Sequence, residues 1–514
     1  MVAKQTTHRI PVVDVFAGCG GLGEGFSSGP FELRLSIEKD WAPHATLWLR
    51  SFFHQFGKGQ VPSHYYDYVS GRIPLEELRA HHPEEAMKAS RHCLQAELGG
   101  EKQDKSRIKA SIKRAIGRSR EWVLIGGPPC QAYSTIGRVK NQSLNHYDPD
   151  TDIRFELYRE YLKIIGDHWP SVFVFENVKG LLSSSHRDQS IFNRMRTDLH
   201  DPAQALAPDG IILPASHKYN LYAVSSERLS PEEESGSLNP NDFVVKAEHY
   251  GIPQARHRII IVGVRNDIQK RPEPLQRLSE FVSAVEVLNG LPALRSGISS
   301  QDSPEAWVNA VKGILDHSWW QQIPEPLQQR MIEVLENLEV PPDDRGSLRF
   351  LDAPSQCNYR PEWYEDERLS GTLNHEARTH RMDDLWRYLF AACFTEHSER
   401  PFRVGDFPVG LMPNHRKLYS ALENTHFADR FSVVPRNAPS RTVVSHIQKD
   451  GHYYIHYDPT QCRSLTVREA ARLQTFPDNY FFEGNRTEQY AQVGNAVPPL
   501  LSLRIAESVA GLFE

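Results

Sequence analysis

The sequence predicts an α/β protein in which a doubly wound, mostly parallel sheet is joined to a second, irregular domain. Short apolar runs alternate with helical patterns, which is typical of parallel strands connected by helices. The runs end in glycines or acidic residues, as expected where functional groups gather at the carboxyl ends of strands. By contrast, residues 266–455 are rich in proline, aromatic and mixed-charge residues and lack this alternation.

The predicted elements can be assigned in chain order. The strands are 10–16, a second that ends at Glu38, 122–125, 172–175 and 259–262. A helical pattern precedes the fourth strand, with apolar residues at Leu157, Tyr161, Leu162 and Ile165. The stretch 454–514 is again helical in pattern, and L-T-V-R-E-A-A-R-L-Q-T-F is its clearest helix.

Composition narrows the class of protein. The 514 residues are 39% hydrophobic and 24% charged, which is ordinary for a globular chain long enough to hold more than one domain. The sequence contains no run of about 18 apolar residues, and its first residues contain no signal-peptide core, so we expect a cytoplasmic protein without a membrane span. The net charge of −6, taken alone, argues against a nucleic-acid partner.

Charge is distributed unevenly along the chain. Residues 71–120 have a helical, charged pattern, and 101–120 contain eight Lys or Arg against Glu101 and Asp104, a local net charge of +6. This pattern fits either a solvated helix face or a nucleic-acid contact, and the sequence leaves both open.

A glycine-rich turn follows the first strand. Gly18, Gly20, Gly21 and Gly23 lie between this strand and a helix, and Glu38 stands 20 residues after Gly18. Glycines let the backbone approach a nucleotide-like ligand, and such an acid can accept hydrogen bonds from ribose hydroxyls. A tight turn without a ligand is the alternative interpretation.

Three more groups of residues suggest chemistry. Cys130 follows Gly-Gly-Pro-Pro at the end of a strand, where an exposed thiol could act as a nucleophile, whereas the other five cysteines are expected to be buried and reduced. Glu176 ends the fourth strand beside Asn177, which suits proton transfer or recognition of a ring edge. Arg256 and Arg258 occupy alternate positions and could hold an anion or a ring carbonyl.

The ordered series of these motifs, completed by Gln-Val-Gly-Asn-Ala-Val-Pro at 492–498, resembles the C5-cytosine-specific DNA methyltransferases. The resemblance covers 8–265 and 460–514. It implies the methyltransferase fold that binds S-adenosylmethionine. It also implies a catalytic, cofactor-binding domain at 1–265 with a basic helical insertion at about 71–120. A target-recognition domain follows at 266–455, and 456–514 complete the catalytic domain.

The resemblance assigns roles to individual positions. The implied catalytic residues are Cys130, Glu176, Arg256 and Arg258. The implied cofactor-binding residues are Phe16, Ala17, Gly18, Cys19, Gly20, Gly21, Leu22, Glu38, Lys39, Asp67, Pro128, Leu157, Asn495 and Ala496. The motifs do not locate the acid near the cofactor adenine, and Asp67 is the candidate for that position. The implied DNA-binding residues are Gln131, Ser134 and Arg138, on a loop that closes over the flipped base.

The implied activity is methylation of a flipped-out cytosine in double-stranded DNA, with S-adenosyl-L-methionine as cofactor and no metal. We expect a bacterial, nucleoid-associated monomer that marks self DNA in a restriction-modification or anti-phage system, in which other defence proteins are candidate partners. Lys417, Arg430, Arg436 and Arg441 are candidate DNA contacts, and His375 and His380 lack the spacing of a zinc motif. An RNA cytosine methyltransferase and a catalytically silent DNA-binding regulator are the alternatives.

Overall fold

A computed structural model describes residues 9–129, 153–186, 189–213, 217–225, 239–398, 400–413 and 430–514. Cys130, Gln131, Ser134, Arg138 and Lys417, for which the sequence predicts functions, lie outside these described residues. The chain divides into two compact units. The first unit is Met1–Gly57, His82–Glu280 and Ala496–Glu514, and the second unit is Lys58–His81 and Phe281–Asn495.

The strands are short in most of the chain and longest in the central sheet. Those of the first unit are β1 Ile10–Val15, β2 Phe31–Glu38, β3 Cys93–Gln95, β4 Val123–Gly126, β5 Val172–Val178, β6 Ser185–His186, β7 Gln189–Ser190, β8 Tyr219–Tyr222, β9 Val244–Lys246, β10 Gln254–Ala255 and β11 His257–Arg265. Those of the second unit are β12 Gly297–Ile298, β13 Gly346–Leu351, β14 Thr372–Glu376, β15 Thr379–His380 and β16 Ser440–Arg441.

The helices connect and cover these strands. In chain order they are α1 Gly21–Gly25, α2 Trp41–Phe53, α3 Ser63–Val69, α4 Leu75–His81, α5 Pro83–His92, α6 Lys102–Ile116, α7 Ile153–His168, α8 Ile191–His200, α9 Pro202–Leu206, α10 Ala284–Leu288, α11 Pro304–Lys312, α12 Glu325–Glu336, α13 Pro361–Tyr364, α14 Met382–Ser398, α15 Val467–Leu473, α16 Arg486–Asn495 and α17 Pro499–Ala510.

The first unit is built on one eight-stranded sheet, in the order β3-β2-β1-β4-β5-β11-β8 with β9 beside β11. Strands β1 to β5 pair in parallel, and β11 runs antiparallel to β5, β8 and β9. The predicted doubly wound, mostly parallel sheet is thereby confirmed. The strand order reverses between β1 and β4, and a ligand of such a sheet binds at the carboxyl edge near this reversal.

The later part of 71–120, which the sequence predicts as a basic helical insertion, contains a strand and a helix that pack with the central sheet. Strand β3 pairs in parallel with β2. Helix α6 buries Ile108, Ile112 and Ile116 in the same apolar core as the sheet residues Val13, Leu35 and Leu124. Residues 93–116 therefore belong to the sheet architecture. The polar residues that surround these three isoleucines in the sequence conceal their i, i+4, i+8 spacing.

The second unit contains more helix than the predicted irregular domain suggests. Helices α11, α12 and α14 bury Trp307, Met331 and Leu389 in one apolar cluster. Strands β13 and β14 form an antiparallel pair, and β12 pairs in parallel with β15. The unit also includes α15 and α16, so the contact-based division differs from the predicted boundaries at 265 and 455.

A buried polar network holds α15 in the second unit. Thr466 and Glu469 form a capping box at the start of the helix, and Arg463 donates two hydrogen bonds of 2.7 Å to the Glu469 carboxylate. His375 contacts Thr466 Oγ1 at 2.9 Å through Nδ1 and the carbonyl oxygen of Pro292 at 2.9 Å through Nε2. Both nitrogens of His375 thus have structural partners.

One segment, Arg486–Phe513, is long and apolar enough to be considered as a membrane span. Most of its apolar window is buried inside the protein, and Pro498 separates α16 from α17 within it. This pattern is common in core helices and is weak evidence for a span.

Candidate active site

The glycine turn leaves β1 at the carboxyl edge of the sheet. Every residue of β1 is buried, and Phe16, Gly18 and Gly20 then adopt positive φ angles of 58°, 56° and 91°. A Cβ atom on Gly21 would lie 2.2 Å from the carbonyl oxygen of Val497, so no larger residue fits there. Next to Val497, Ala496 packs at the start of α1, whereas Asn495 ends α16 in the second unit.

Glu38 holds this turn in place. Its Oε2 accepts a hydrogen bond from the amide of Gly18 at 2.9 Å, and its Oε1 accepts from the amides of Lys39 and Asp40, each at 2.8 Å. Burial raises the pKa of the Glu38 carboxyl. A carboxylate has about four acceptor positions, so Oε2 can still accept from a ligand hydroxyl.

The end of β3 lies beside Glu38 and contains residues that the sequence did not single out. The amide of Ala96 donates to the carbonyl oxygen of Glu38 at 3.1 Å, and Lys39 Nζ lies 3.4 Å from Glu97 Oε1. The predicted cofactor contact Leu157 is close by, since a Cβ atom on Gly99 would lie 3.3 Å from its Cδ2. The short run 93–96, which is followed by Glu97, was the feature of the sequence that could have indicated this strand and its acid.

Asp67, the predicted contact of the cofactor adenine, is assigned to the second unit. It is on α3 in the second unit, where its Oδ1 accepts from Arg72 Nη1 at 2.9 Å. Within the first unit, the acidic side chain beside Lys39 at the sheet edge is Glu97.

Glu176 lies where β4 and β5 end side by side. A Cβ atom on Gly127 would be 2.6 Å from Glu176 Oε2 and 3.0 Å from its carbonyl oxygen. Asn177 Nδ2 donates to the carbonyl oxygen of Pro128 at 3.4 Å. The Gly-Gly-Pro-Pro segment, which Cys130 directly follows in the chain, is thereby packed against Glu176.

Arg258 pairs with Glu176 across the sheet. Arg258 Nε lies 3.1 Å from Glu176 Oε1, and both side chains are mostly buried, with 12% and 15% exposed. Burial lowers the pKa of Arg258, and the Glu176 carboxylate opposes this shift. Arg256 is 1% exposed and lies between β10 and β11, so the two predicted arginines have different environments.

The cysteines of the described chain are packing residues. Cys19, Cys93, Cys357, Cys393 and Cys462 are buried and form no disulfide, as expected from their scattered positions. Burial raises the pKa of the Cys93 thiol to about 12 and that of Cys357 to about 11. Neither thiol is poised as a nucleophile.

Comparison with known proteins gives a consistent result. The C-5 cytosine-specific DNA methylase family model matches residues 93–202 and 239–511. The type II methyltransferase M.Bpa9945I of Bacillus paralicheniformis is 30% identical over 97% of this chain and 98% of its own length. The type II methyltransferase M.AgeI of Thalassovita gelatinovora is 26% identical, over 97% of this chain and 98% of its own length.

Two further matches are more distant. The DNA (cytosine-5-)-methyltransferase M.ApeKI of Aeropyrum pernix is 26% identical over 76% of this chain and 81% of its own length. The solved structure of Entamoeba histolytica methyltransferase EhMeth is 11% identical, with a TM-score of 0.41 over 98% of this chain and 99% of that chain. With a family match over more than half of its length and a relative 30% identical over nearly all of it, this chain belongs to the C-5 cytosine-specific DNA methylase family and is a DNA (cytosine-5-)-methyltransferase of the restriction-modification type.

Proposed function

We propose that this enzyme transfers a methyl group from S-adenosyl-L-methionine to C5 of a flipped-out cytosine in duplex DNA through a covalent adduct with Cys130. The observation that carries the proposal is the Glu176–Arg258 pair beside Gly127 and Pro128, on the same sheet edge as the glycine turn. Cys130 follows two residues after Pro128 in the chain.

The residues of the glycine turn fit a nucleoside-containing cofactor. A Cβ atom on Gly18 would meet nothing within 4 Å, so the space above the turn is open. Glu38 would hold the ribose hydroxyls through Oε2, and Phe16, Leu157 and the end of β3 near Glu97 would border the remaining nucleoside. S-adenosylmethionine would supply an electrophilic methyl group when bound.

Cys130 and Glu176 would activate the cytosine together. The Cys130 thiolate adds to C6, the electrons of the C5–C6 double bond move toward C5 and the ring, and Glu176 donates a proton to N3. The methyl group that S-adenosylmethionine would supply would then bond to C5 as its bond to sulfur breaks, and the electron pair of that bond would stay on the sulfur of the departing thioether. A base removes the C5 proton, the bond from sulfur to C6 breaks, and N3 returns its proton to Glu176, which regenerates both protein groups.

The arginines would position the base and the acid. Arg258 orients the Glu176 carboxyl through their 3.1 Å contact, and Arg256 would contact the ring carbonyl or the adjacent backbone. Gln131, Ser134 and Arg138 would contact the DNA from the segment after Cys130. Because C5 is inaccessible inside a duplex, flipping the base costs a few kcal/mol that such contacts must supply.

The second unit would read the DNA sequence. Arg436 lies over the ring of Tyr457 and Arg441 over the ring of Tyr453, at 5.8 and 5.4 Å from the ring centroids, so both are held in defined positions. With Arg430 they are candidates for base or phosphate contacts. We place the enzyme in the cytoplasm, on the nucleoid, as a monomer that marks self DNA within a restriction-modification or related defence system.

Sequencing of bisulfite-treated DNA from cells that express this chain tests the activity, the base and its context together. We expect protected cytosines in one sequence context with the wild-type enzyme and none with Cys130→Ser. DNA with 5-fluorocytosine at the target should form a covalent adduct with the wild type and not with Cys130→Ser. Methylation of total tRNA but not of plasmid DNA, or adduct formation by Cys130→Ser, would contradict the proposal.

A further inference from the structure

Helix α6 and the turn after it expose a set of basic residues that the active site does not use. Eight Lys or Arg side chains in 102–120 are exposed. Arg107 pairs with Asp104 and Lys109 pairs with Asp167, each at 3.0 Å. The other six form what we call the α6 basic surface: Lys102, Lys105, Lys113, Arg114, Arg118 and Arg120. Among the residues that the structure describes, no acidic side chain forms an ion pair with these six.

Folding alone does not explain this surface. The inner side of α6 is provided by Ile108, Ile112 and Ile116, which are buried in the core. Lys113 and Arg114 stabilise the last turn through the helix dipole, but Lys102 and Lys105 lie at the first turn, where positive charge is unfavourable. Like charges four residues apart, as in Lys105, Lys109 and Lys113, also destabilise a helix.

The surface has the chemistry of a phosphate-backbone contact. A helix of 15 residues is about 22 Å long, so its charges span about six base pairs of a duplex. The segment 102–120 contains no aromatic residue on which an unpaired base could stack, which favours a duplex over a single strand. Lys and Arg contacts to phosphates give affinity without sequence information.

The C-terminal part of the α6 basic surface lies away from the target base. Helix α6 starts after β3, near the carboxyl edge that holds Glu38, and ends before β4 begins at the opposite edge. The carboxyl edge that holds Glu38 is therefore about one helix length from Lys113, Arg114 and Arg118. We propose that the α6 basic surface binds the backbone of duplex DNA remote from the target cytosine and holds the enzyme on long DNA without reading its sequence. This inference rests on the proposed function, in which duplex DNA is the substrate.

Binding to a long duplex that lacks the target sequence, without cofactor and over a range of salt concentrations, tests this inference. The variant is the triple change Lys113→Gln, Arg114→Gln and Arg118→Gln, in which glutamine keeps good helix propensity at the two helical positions. If three phosphate contacts are lost, the slope of log K against log salt should become shallower by about 2 to 3. Methylation of a short duplex that only spans the target should stay unchanged.

The control removes the same charge elsewhere in the first unit. Lys88→Gln, Lys218→Gln and Lys270→Gln change three exposed lysines outside the α6 basic surface and should leave the salt slope unchanged. Each single substitution within the triple variant should shift the slope by up to about 0.9, which keeps the test valid if the triple variant folds poorly.

Three outcomes would overturn the inference. In the first, the triple and single variants bind the long duplex with the wild-type salt slope. In the second, the salt slope of the control variant becomes as shallow as that of the triple variant. In the third, the triple variant binds structured RNA more weakly but binds duplex DNA as the wild type does. None of these readouts depends on methyl transfer. Absence of methylation by the wild type on every DNA counts against the proposed function and leaves this binding test intact.

Discussion

Gly127 directly follows β4 and packs against Glu176, the acid of the candidate active site. Alanine at this position would place its Cβ atom 2.6 Å from Glu176 Oε2 and 3.0 Å from the Glu176 carbonyl oxygen. The carboxylate must move to relieve this contact. Because small misplacements of catalytic groups can cost about 10²-fold in rate, we expect Gly127→Ala to lower kcat by about that factor. Single-turnover methylation of duplex DNA at saturating cofactor measures it.

The matched control for Gly127→Ala is Gly511→Ala. A Cβ atom on Gly511 would meet nothing within 4 Å, so kcat and Tm should both stay at their wild-type values. A wild-type kcat for Gly127→Ala would show that the Glu176 carboxylate tolerates displacement, which contradicts the role that we assign to it.

At the scale of elements, a buried ion pair joins α1, which begins at the glycine turn, to α2. Glu24 Oε2 accepts from Arg50 Nε at 2.9 Å and lies 2.9 Å from His54 Nε2. Burial alone would raise the pKa of Glu24, but Arg50 and His54 hold it well below its usual value. Breaking one partner of a buried pair costs about 3–5 kcal/mol, so Glu24→Gln should lower the free energy of unfolding by that amount at pH 7.

The pH dependence of this pair has a defined sign. Because the folded-state pKa is lowered, the contribution of Glu24 is fully present above the unfolded pKa of about 4.3 and is lost as the pH falls below it. The difference between the wild type and Glu24→Gln in chemical denaturation should therefore shrink below about pH 4. Glu32→Gln removes a partly exposed pair with Arg34 and should cost less than about 1 kcal/mol. Equal losses for the two variants would contradict this account.

At the scale of the whole molecule, the second unit should be sensitive to acid. Burial, with a smaller contribution from Arg463, lowers the pKa of His375 and of His456 to about 4, although the Glu469 carboxylate opposes the shift. Both imidazoles are thus neutral in the folded protein at pH 6. The unfolded chain, with a histidine pKa of about 6.5, binds these protons first, so stability falls as the pH drops from about 6.5 to 4, by about 1.4 kcal/mol per unit for each histidine.

Hydrogen exchange of the α15 amides, followed between pH 7 and 4 with correction for intrinsic exchange rates, measures this loss within the second unit. His375→Gln should flatten the dependence by about 1.4 kcal/mol per pH unit. His397→Gln changes an exposed histidine on α14 and should leave it unchanged. An unaltered slope in His375→Gln would show that His375 is not the titrating group.

Much of the first unit follows from local sequence. The glycine turn, Glu38 and Glu176 could be placed at strand ends because apolar runs and their terminating residues are neighbours in the chain. The pairing of Arg258 with Glu176 was not predicted, because Arg258 precedes its strand and reaches the carboxyl end of β5 only since β11 runs antiparallel to it. The sequence by itself therefore determined the fold class and the family, and it supplied the candidate residues of the site.

The tertiary structure decided what depends on contacts between distant segments. Glu97 lies beside Lys39 because β3 pairs with β2, whereas Asp67, closer to Lys39 in sequence, belongs to the second unit. Helix α6 packs against the sheet because three of its isoleucines lie in the apolar core, although charged residues dominate the sequence of the helix. Strand pairing and core packing join residues far apart in the chain, and local patterns of hydrophobicity do not encode those partners.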